Sequence, residues 1–543
     1  MPRPIPAWFR NARLGMFIHY GLYSLFGGNE NEIRRQVGRT AYAKAIDRFR
    51  AQDADPEAWA RLAAESGCSY LVLTAKHGEG FCLWPSRHTD CHVGHSPCGR
   101  DLVGETVAAC RKHRLRVGIY FGPQTWISPL ADDDRAGYRA MVLGMIDELM
   151  TAYGRIDLLW LDDSDEPRLD DATAAAIVLL ARRRQPGIVV NDRGFPRRDG
   201  GMGDYVTPER FLPDRTEARH RPWEACDSIG VHSWGWHADE RFWSSPELAR
   251  RLATAAARGG RYLLNVQPEA GGRIRPECVE RFQALGAWAA QHRRALSAGG
   301  CALVPRDPCD PARPALGVAT AAPGRIHLLL ERWPSADAVV VPHLGGKLRA
   351  RLGATALRVT AGPDGLHLHG LPVSPPHAGP VEIVITGRAR IDERARAAAE
   401  LPVQAPGLLG AVVLDAANAR CSAPSGVPLQ HLKRLPDGRS SIGFFFAPGV
   451  AVEWAARLPR AGRWRVVARL ARPATGEQAA FSLRVGRHRL VGETVPTASW
   501  DDPAEIDLGT VALPKGALAV RLVPERLARA WFADVHGVVL VPA

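Results

Sequence analysis

The stretch Ser69–Trp84, SYLVLTAKHGEGFCLW, holds the key to the fold. Its first half is a continuous apolar run, the pattern of a strand covered on both faces. A buried strand ends in a turn, and this turn presents Lys76, His77 and Glu79 beside Gly78 and Gly80, with Phe81 and Trp84 just beyond. A plain turn does not need an imidazole, an acid and aromatic rings together. A binding site at the end of a parallel strand does.

Seven further runs share this character: 14–20, 115–121, 156–162, 187–192, 203–207, 223–230 and 261–267. Those at 203–207 and 223–230 are the weakest as strands. Helical patterns lie between the runs, such as DPEAWARLAAES and GYRAMVLGMIDELMTAYG. In the second, Met141, Met145, Leu149 and Tyr153 recur every four residues and mark one face. Eight apolar strands alternating with helices predict a (β/α)8-type barrel over residues 1–296.

After residue 297 the helical periods stop. GRIHLLLERWP, ADAVVVPHLGG and PVEIVITG read as strands and predict a β-sandwich over 297–390. An Arg-, Ala- and Pro-rich linker is expected at 391–406. From 407 to 543 the period of two returns: in GRWRVVARL, Trp464, Val466, Ala468 and Leu470 share one side. A second sandwich is expected there. Trp454 and Trp464, each on an alternating strand, read first as core and second as glycan-binding.

The 543 residues are enough for about three domains. The formal net charge is +13, but the basic residues are mostly scattered Arg, with no Lys/Arg tract of the kind that marks a nucleic-acid partner. No apolar run of membrane-spanning or signal-peptide length occurs, so a cytoplasmic location is expected. The ten cysteines do not form a disulfide framework. Cys91, His92, His95 and Cys98 lie at metal-like spacing but fit a short loop better, and neither a metal nor a cofactor is expected. Homo-oligomer formation is compatible with the sequence.

Catalytic groups of a barrel sit at the C-terminal ends of its strands. The residues there are His19, His77, Tyr120, Trp160, the Asp162–Asp163 pair, Arg193 and Asn265, with Glu224 inside the seventh run. Acids, histidines, aromatics and an Arg suit a sugar pocket, and two carboxyl groups can cleave a glycosidic bond. Alternatively, Asp162 and Asp163 would simply cap a helix.

WFRNARLGMFIHYGLYSL, LVLTAKHGEGFCLW, LLWLDD, VVNDRG, GDYVTPE, PWEACDSIGVHSWGW and YLLNVQPEAGGRIRPE occur here in one order. In that order they resemble glycoside hydrolase family 29, the α-L-fucosidases, over residues 7 to about 296. The last domain resembles the carbohydrate-binding-type sandwich appended to some bacterial members.

The resemblance implies a retaining exo-glycosidase acting on terminal α-L-fucosides, or a related L-sugar, of an oligosaccharide or glycoconjugate. It implies Asp162 as nucleophile and, through the Trp223–Glu224 pair, Glu224 as general acid/base, with Trp234 beside it. It implies His19 and His77 at the sugar hydroxyls, Phe17 against the C5 methyl, Tyr120, Trp160 and Arg193 in the pocket, and Glu30 at O3 and O4. Three positions depart from the family pattern. Gly78 replaces a second His, Glu79 an Asp, and Asn31 the Trp of a Glu–Trp pair. Asp163 also stands where Gly is common. Gly78 and Asn31 point to an altered pocket, so a different glycone is an alternative expectation. A non-catalytic carbohydrate-binding protein is another.

Overall fold

A computed structural model describes residues 4–28, 30–128, 130–162, 166–195, 202–213, 221–301, 303–309, 315–391, 403–404, 411–422, 431–434, 440–443, 445, 449–473, 477–527 and 532–543. Asp163 and most of the expected linker lie outside them. The chain divides into two compact units, Met1–Arg210 with Asp214–Gly300, and Cys301–Ala543 with Phe211–Pro213.

The first unit is a parallel barrel. Its named strands are β1 (Leu14–Ile18), β2 (Tyr70–Lys76), β3 (Arg116–Phe121), β4 (Leu158–Leu161), β5 (Val189–Val190), β6 (Glu224–Ser228) and β7 (Arg261–Val266). They pair in the order β5-β4-β3-β2-β1-β7-β6. The gap between β5 and β6 is filled by single bridges, Asn191 to Tyr205, Val206 to Trp223 and Glu209 to Cys226, all parallel. Asp204 N donates to Val190 O (2.7 Å) and Glu224 N to Val206 O (3.0 Å), so the run 203–207 occupies the place of the remaining strand. All eight runs therefore lie in the barrel wall. The weakest forms only bridges.

The helices cover the barrel as the patterns require. Pro56–Glu65 begins on an Asp55 cap with Pro at its first position, where the missing N–H costs nothing. Arg135–Thr151 buries Met141, Met145 and Leu149; it stops before Tyr153. Inside the barrel, Phe9, Phe17, Tyr70, Val72, Tyr120, Trp160, Tyr205 and Cys226 belong to one buried cluster. Phe9 comes from the short helix Ala7–Asn11 and lies under the Arg261 guanidinium, 4.3 Å from the ring centre. Gly15 makes room within the barrel: a Cβ there would lie 2.3 Å from Tyr70 Cζ.

In the second unit, an antiparallel sheet runs through Ala338–Pro342, Gly365–His369, Thr355–Gly362, Leu344–Leu352, Val381–Ile391, Arg325–Leu330 and Gly317–Ala322. Strands from both ends of this path contribute to one core, which includes Ala319, Leu328, Val339, Leu368 and Ile383. The sheet thus folds over itself. Beyond it, two six-stranded sheets enclose a further core. Trp464, Val466, Ala468 and Leu470 all point into that core, as their alternation requires. Trp454 and Trp464 are each 1% exposed, and Trp454 Nε1 donates to Asp415 O (2.9 Å), so both are core residues. Within the expected linker, Val403–Gln404 pairs in parallel with Ala455–Ala456.

Candidate active site

The C-terminal ends of the barrel strands bring most of the expected residues together. Asp162 follows β4, and Tyr120 at the end of β3 donates its hydroxyl to Asp162 Oδ2 (3.3 Å). The rings of His77, Tyr120 and Trp160 lie in near-parallel order, with successive centres 5.5 Å apart. Phe17 closes the group at 5.2 Å from Trp160 and 4.5 Å from His19. These side chains form an aromatic floor beneath Asp162, and none of them is more than 8% exposed.

Arg193 organises the acids. Its guanidinium is buried, anchored by Nε to Thr207 Oγ1 (2.8 Å) and Nη2 to Thr207 O (2.9 Å), and lies over Trp160 at 4.8 Å. Its Nη1 donates to Asp162 Oδ1 (3.2 Å) and to Glu209 Oε2 (2.8 Å). Trp234 Nε1 donates to the other Glu209 oxygen (3.1 Å). Asp162 and Glu209 thus share one cation and keep side-chain exposures of 24% and 34%, against 3% for Arg193.

Glu224 is placed elsewhere. It is the first residue of β6, at the N-terminal end of that strand, and is 0% exposed. Its oxygens accept from Tyr70 OH, Trp160 Nε1 (3.0 Å) and Tyr205 OH (3.3 Å). Burial raises its pKa, against the pull of those bonds. The acid/base role expected for Glu224 does not fit a carboxyl sealed inside the barrel. The second acid beside Asp162 is instead Glu209, in GDYVTPE, three residues after the bridge at Val206. It was legible as the residue following the sixth strand. The Trp223–Glu224 pair matches the family motif but opens its strand instead of closing it.

His19 is 4% exposed. Its backbone N–H and its Nδ1 both reach Asn265 Oδ1, at 3.1 and 2.8 Å. A backbone N–H only donates, so that atom is the amide oxygen and Nδ1 carries the hydrogen. Asn265 Nδ2 in turn donates to Ser228 Oγ (3.1 Å) and Trp234 O (2.8 Å). Nε2 of His19 is left as an acceptor. Burial, and then the neighbouring His77, hold the His19 pKa well below 6.5, so the ring is neutral.

Glu30 opens the helix Glu30–Gln36 and is 2% exposed. Its Oε2 accepts from Ser233 Oγ (2.7 Å), Trp234 N (3.3 Å) and Gly235 N (3.2 Å). It therefore holds the loop that presents Trp234 to Glu209. Asn31 lies in the same helix, its side chain outside the described set. Glu79, next to Gly78, is 1% exposed and faces His77 Nδ1 at 3.4 Å; neither of its oxygens has a hydrogen bond. In the segment from Cys91 to Cys98, His92 Nδ1 accepts from Gly94 N (3.0 Å), a local turn contact.

The profile of the α-L-fucosidase family matches residues 1–293, more than half the chain. The chain belongs to this family. Human tissue α-L-fucosidase is 32% identical over 330 residues, spanning 54% of this chain and 70% of that protein. A glycoside hydrolase family 29 α-L-fucosidase from Bacteroides thetaiotaomicron, trapped as a covalent intermediate in a Glu-to-Gln variant, is 26% identical. Its TM-score is 0.63, with 70% of this chain and 95% of that one covered. The α-L-fucosidase from Vibrio sp. strain EJY3 has a TM-score of 0.68 over 98% of this chain and 97% of its own, at 20% identity, a likeness of fold alone.

Proposed function

We propose that this protein is a retaining exo-α-L-fucosidase in which Asp162 is the nucleophile and Glu209 the general acid/base. The shared Arg193 nitrogen carries the assignment. Two oxygens held at 3.2 and 2.8 Å from one atom are closer to each other than those distances combined. That suits a retaining pair, about 5–5.5 Å apart, and is shorter than the roughly 6.5–9.5 Å that an inverting pair needs to admit a water.

In the first step Asp162 attacks the anomeric carbon while Glu209 protonates the departing oxygen. In the second, Glu209 takes a proton from water, which displaces Asp162. Tyr120 and Arg193 steady the Asp162 carboxylate, and Arg193 stabilises Glu209 once its proton has gone. His19 Nε2 accepts from a sugar hydroxyl, and the face formed by Phe17, Tyr120 and Trp160 receives the apolar side of the ring. The open acid pair speaks against a non-catalytic carbohydrate-binding role. Hydrolysis of 4-nitrophenyl α-L-fucoside, with the first-formed sugar read by NMR, tests the proposal. Release of the α-anomer supports it; release of the β-anomer, or no hydrolysis at any pH, contradicts it.

A further inference from the structure

A second cleft opens on the same rim, about 370 Å³ in volume, lined by Trp236, Ala238, Glu269, Arg275, Pro276 and Glu277. It is built by segments that also build the catalytic pocket. Trp236 lies two residues beyond Trp234 in the segment after β6, and Glu269 three residues beyond β7, the strand that carries Asn265.

The cleft is held in shape before any ligand arrives. Gly27, at φ +66°, lies against Trp236: a Cβ there would come within 2.9 Å of the indole Cζ3. Ala238 N donates to Gly27 O (3.0 Å), tying the segment after β6 to the one after β1. Arg275 Nη1 donates to His237 O (3.1 Å), and its guanidinium lies over Phe242 at 4.9 Å. Glu269 N donates to Arg273 O (2.9 Å), and Glu269 Oε2 accepts from Arg273 Nε (3.1 Å). Glu269 and Glu277 keep side-chain exposures of 31% and 47%.

An indole beside anchored carboxylates is suited to a pyranose: the ring face takes the sugar's C–H surface, and the carboxylates accept from vicinal hydroxyls. Glu269 is paired with Arg273 and Glu277 with Arg275, so the charges of the cleft balance, which favours a neutral sugar over a sulfated or sialylated one. We propose that this cleft is a subsite for a neutral sugar of the leaving group, beyond the fucosyl unit. The proposal rests on the fucosidase reading of the pocket.

The test compares Trp236→Ala and Glu269→Gln with the wild-type chain on fucosyllactose and on 4-nitrophenyl α-L-fucoside, whose leaving group lacks a sugar. Each variant is expected to lose about tenfold in kcat/KM on fucosyllactose and less than about twofold on the aryl fucoside. Equal losses on both substrates, or none on either, overturn the subsite. Lactose binding by titration calorimetry gives a second measure that needs no turnover. Weaker binding in both variants supports the subsite even if the wild type cleaves neither fucoside, and unchanged binding overturns it.

Discussion

Asp162 and Glu209 are bound to the same atom, Nη1 of Arg193, at 3.2 and 2.8 Å. The two carboxyl groups proposed as nucleophile and acid/base are therefore positioned by one buried guanidinium, itself fixed by two bonds to Thr207. Arg193→Lys keeps a positive charge but cannot reproduce that fork. It is expected to lower kcat at least about a hundredfold with a smaller change in KM, measured on an aryl fucoside. A variant with near wild-type kcat would remove Arg193 from the mechanism.

Glu224 belongs to the barrel interior, and its two substitutions should separate packing from chemistry. Glu224→Ala strands Trp160 Nε1 and the Tyr70 hydroxyl without their acceptor. That is expected to cost about 2–4 kcal/mol of stability in denaturant unfolding. Glu224→Gln keeps an acceptor and should retain most of its activity. Burial raises the folded pKa of Glu224 above 4.5. Its contribution to stability is therefore full below that value and lost as the pH rises through the folded pKa. The Gln variant should show a shallower fall in melting temperature from pH 4.5 to pH 8 than the wild type. An equally steep fall would contradict the raised pKa.

His19 carries the opposite sign. Its folded pKa lies well below 6.5, so the unfolded chain binds the proton more readily, and stability is lost as the pH falls below about 6.5. His19→Gln should flatten the melting-temperature profile between pH 7.5 and pH 5. Asn265→Ala releases the hydrogen on Nδ1 and is expected to lower kcat/KM about tenfold. Wild-type kinetics in that variant would show that the tautomer does not matter.

Gly15 tests the interior packing. Since a Cβ there would lie 2.3 Å from Tyr70 Cζ, Gly15→Ala must push the ring away from Glu224. A loss of about 1–3 kcal/mol is expected in chemical unfolding. An unchanged midpoint would mean that the barrel yields at this point.

The barrel was legible because buried parallel strands are written as continuous apolar runs, and all eight lie in its wall. The run 203–207 was faint because it makes only bridges, and that faintness hid Glu209. Asp162, Tyr120, Arg193 and His19 were legible because each directly follows or ends a clear strand. Glu224 shows the limit of motif matching: a Trp–Glu pair fits a family pattern at either end of a strand, but only the C-terminal end faces the pocket. That Glu30 serves the Trp234 loop could not be read from sequence, because Ser233 and Gly235 lie more than two hundred residues away.

The most direct test of the acid pair is the product formed with azide. Asp162→Ala leaves Glu209 to assist direct attack of azide on an activated aryl α-L-fucoside, so β-L-fucosyl azide is expected, with inverted configuration. Glu209→Ala still forms the Asp162 ester, and azide attacking that ester should give α-L-fucosyl azide. Glu224→Gln should give neither product and should continue to release fucose. Rescue of a Glu224 variant to the α-azide, with Glu209→Ala fully active, would contradict the assignment.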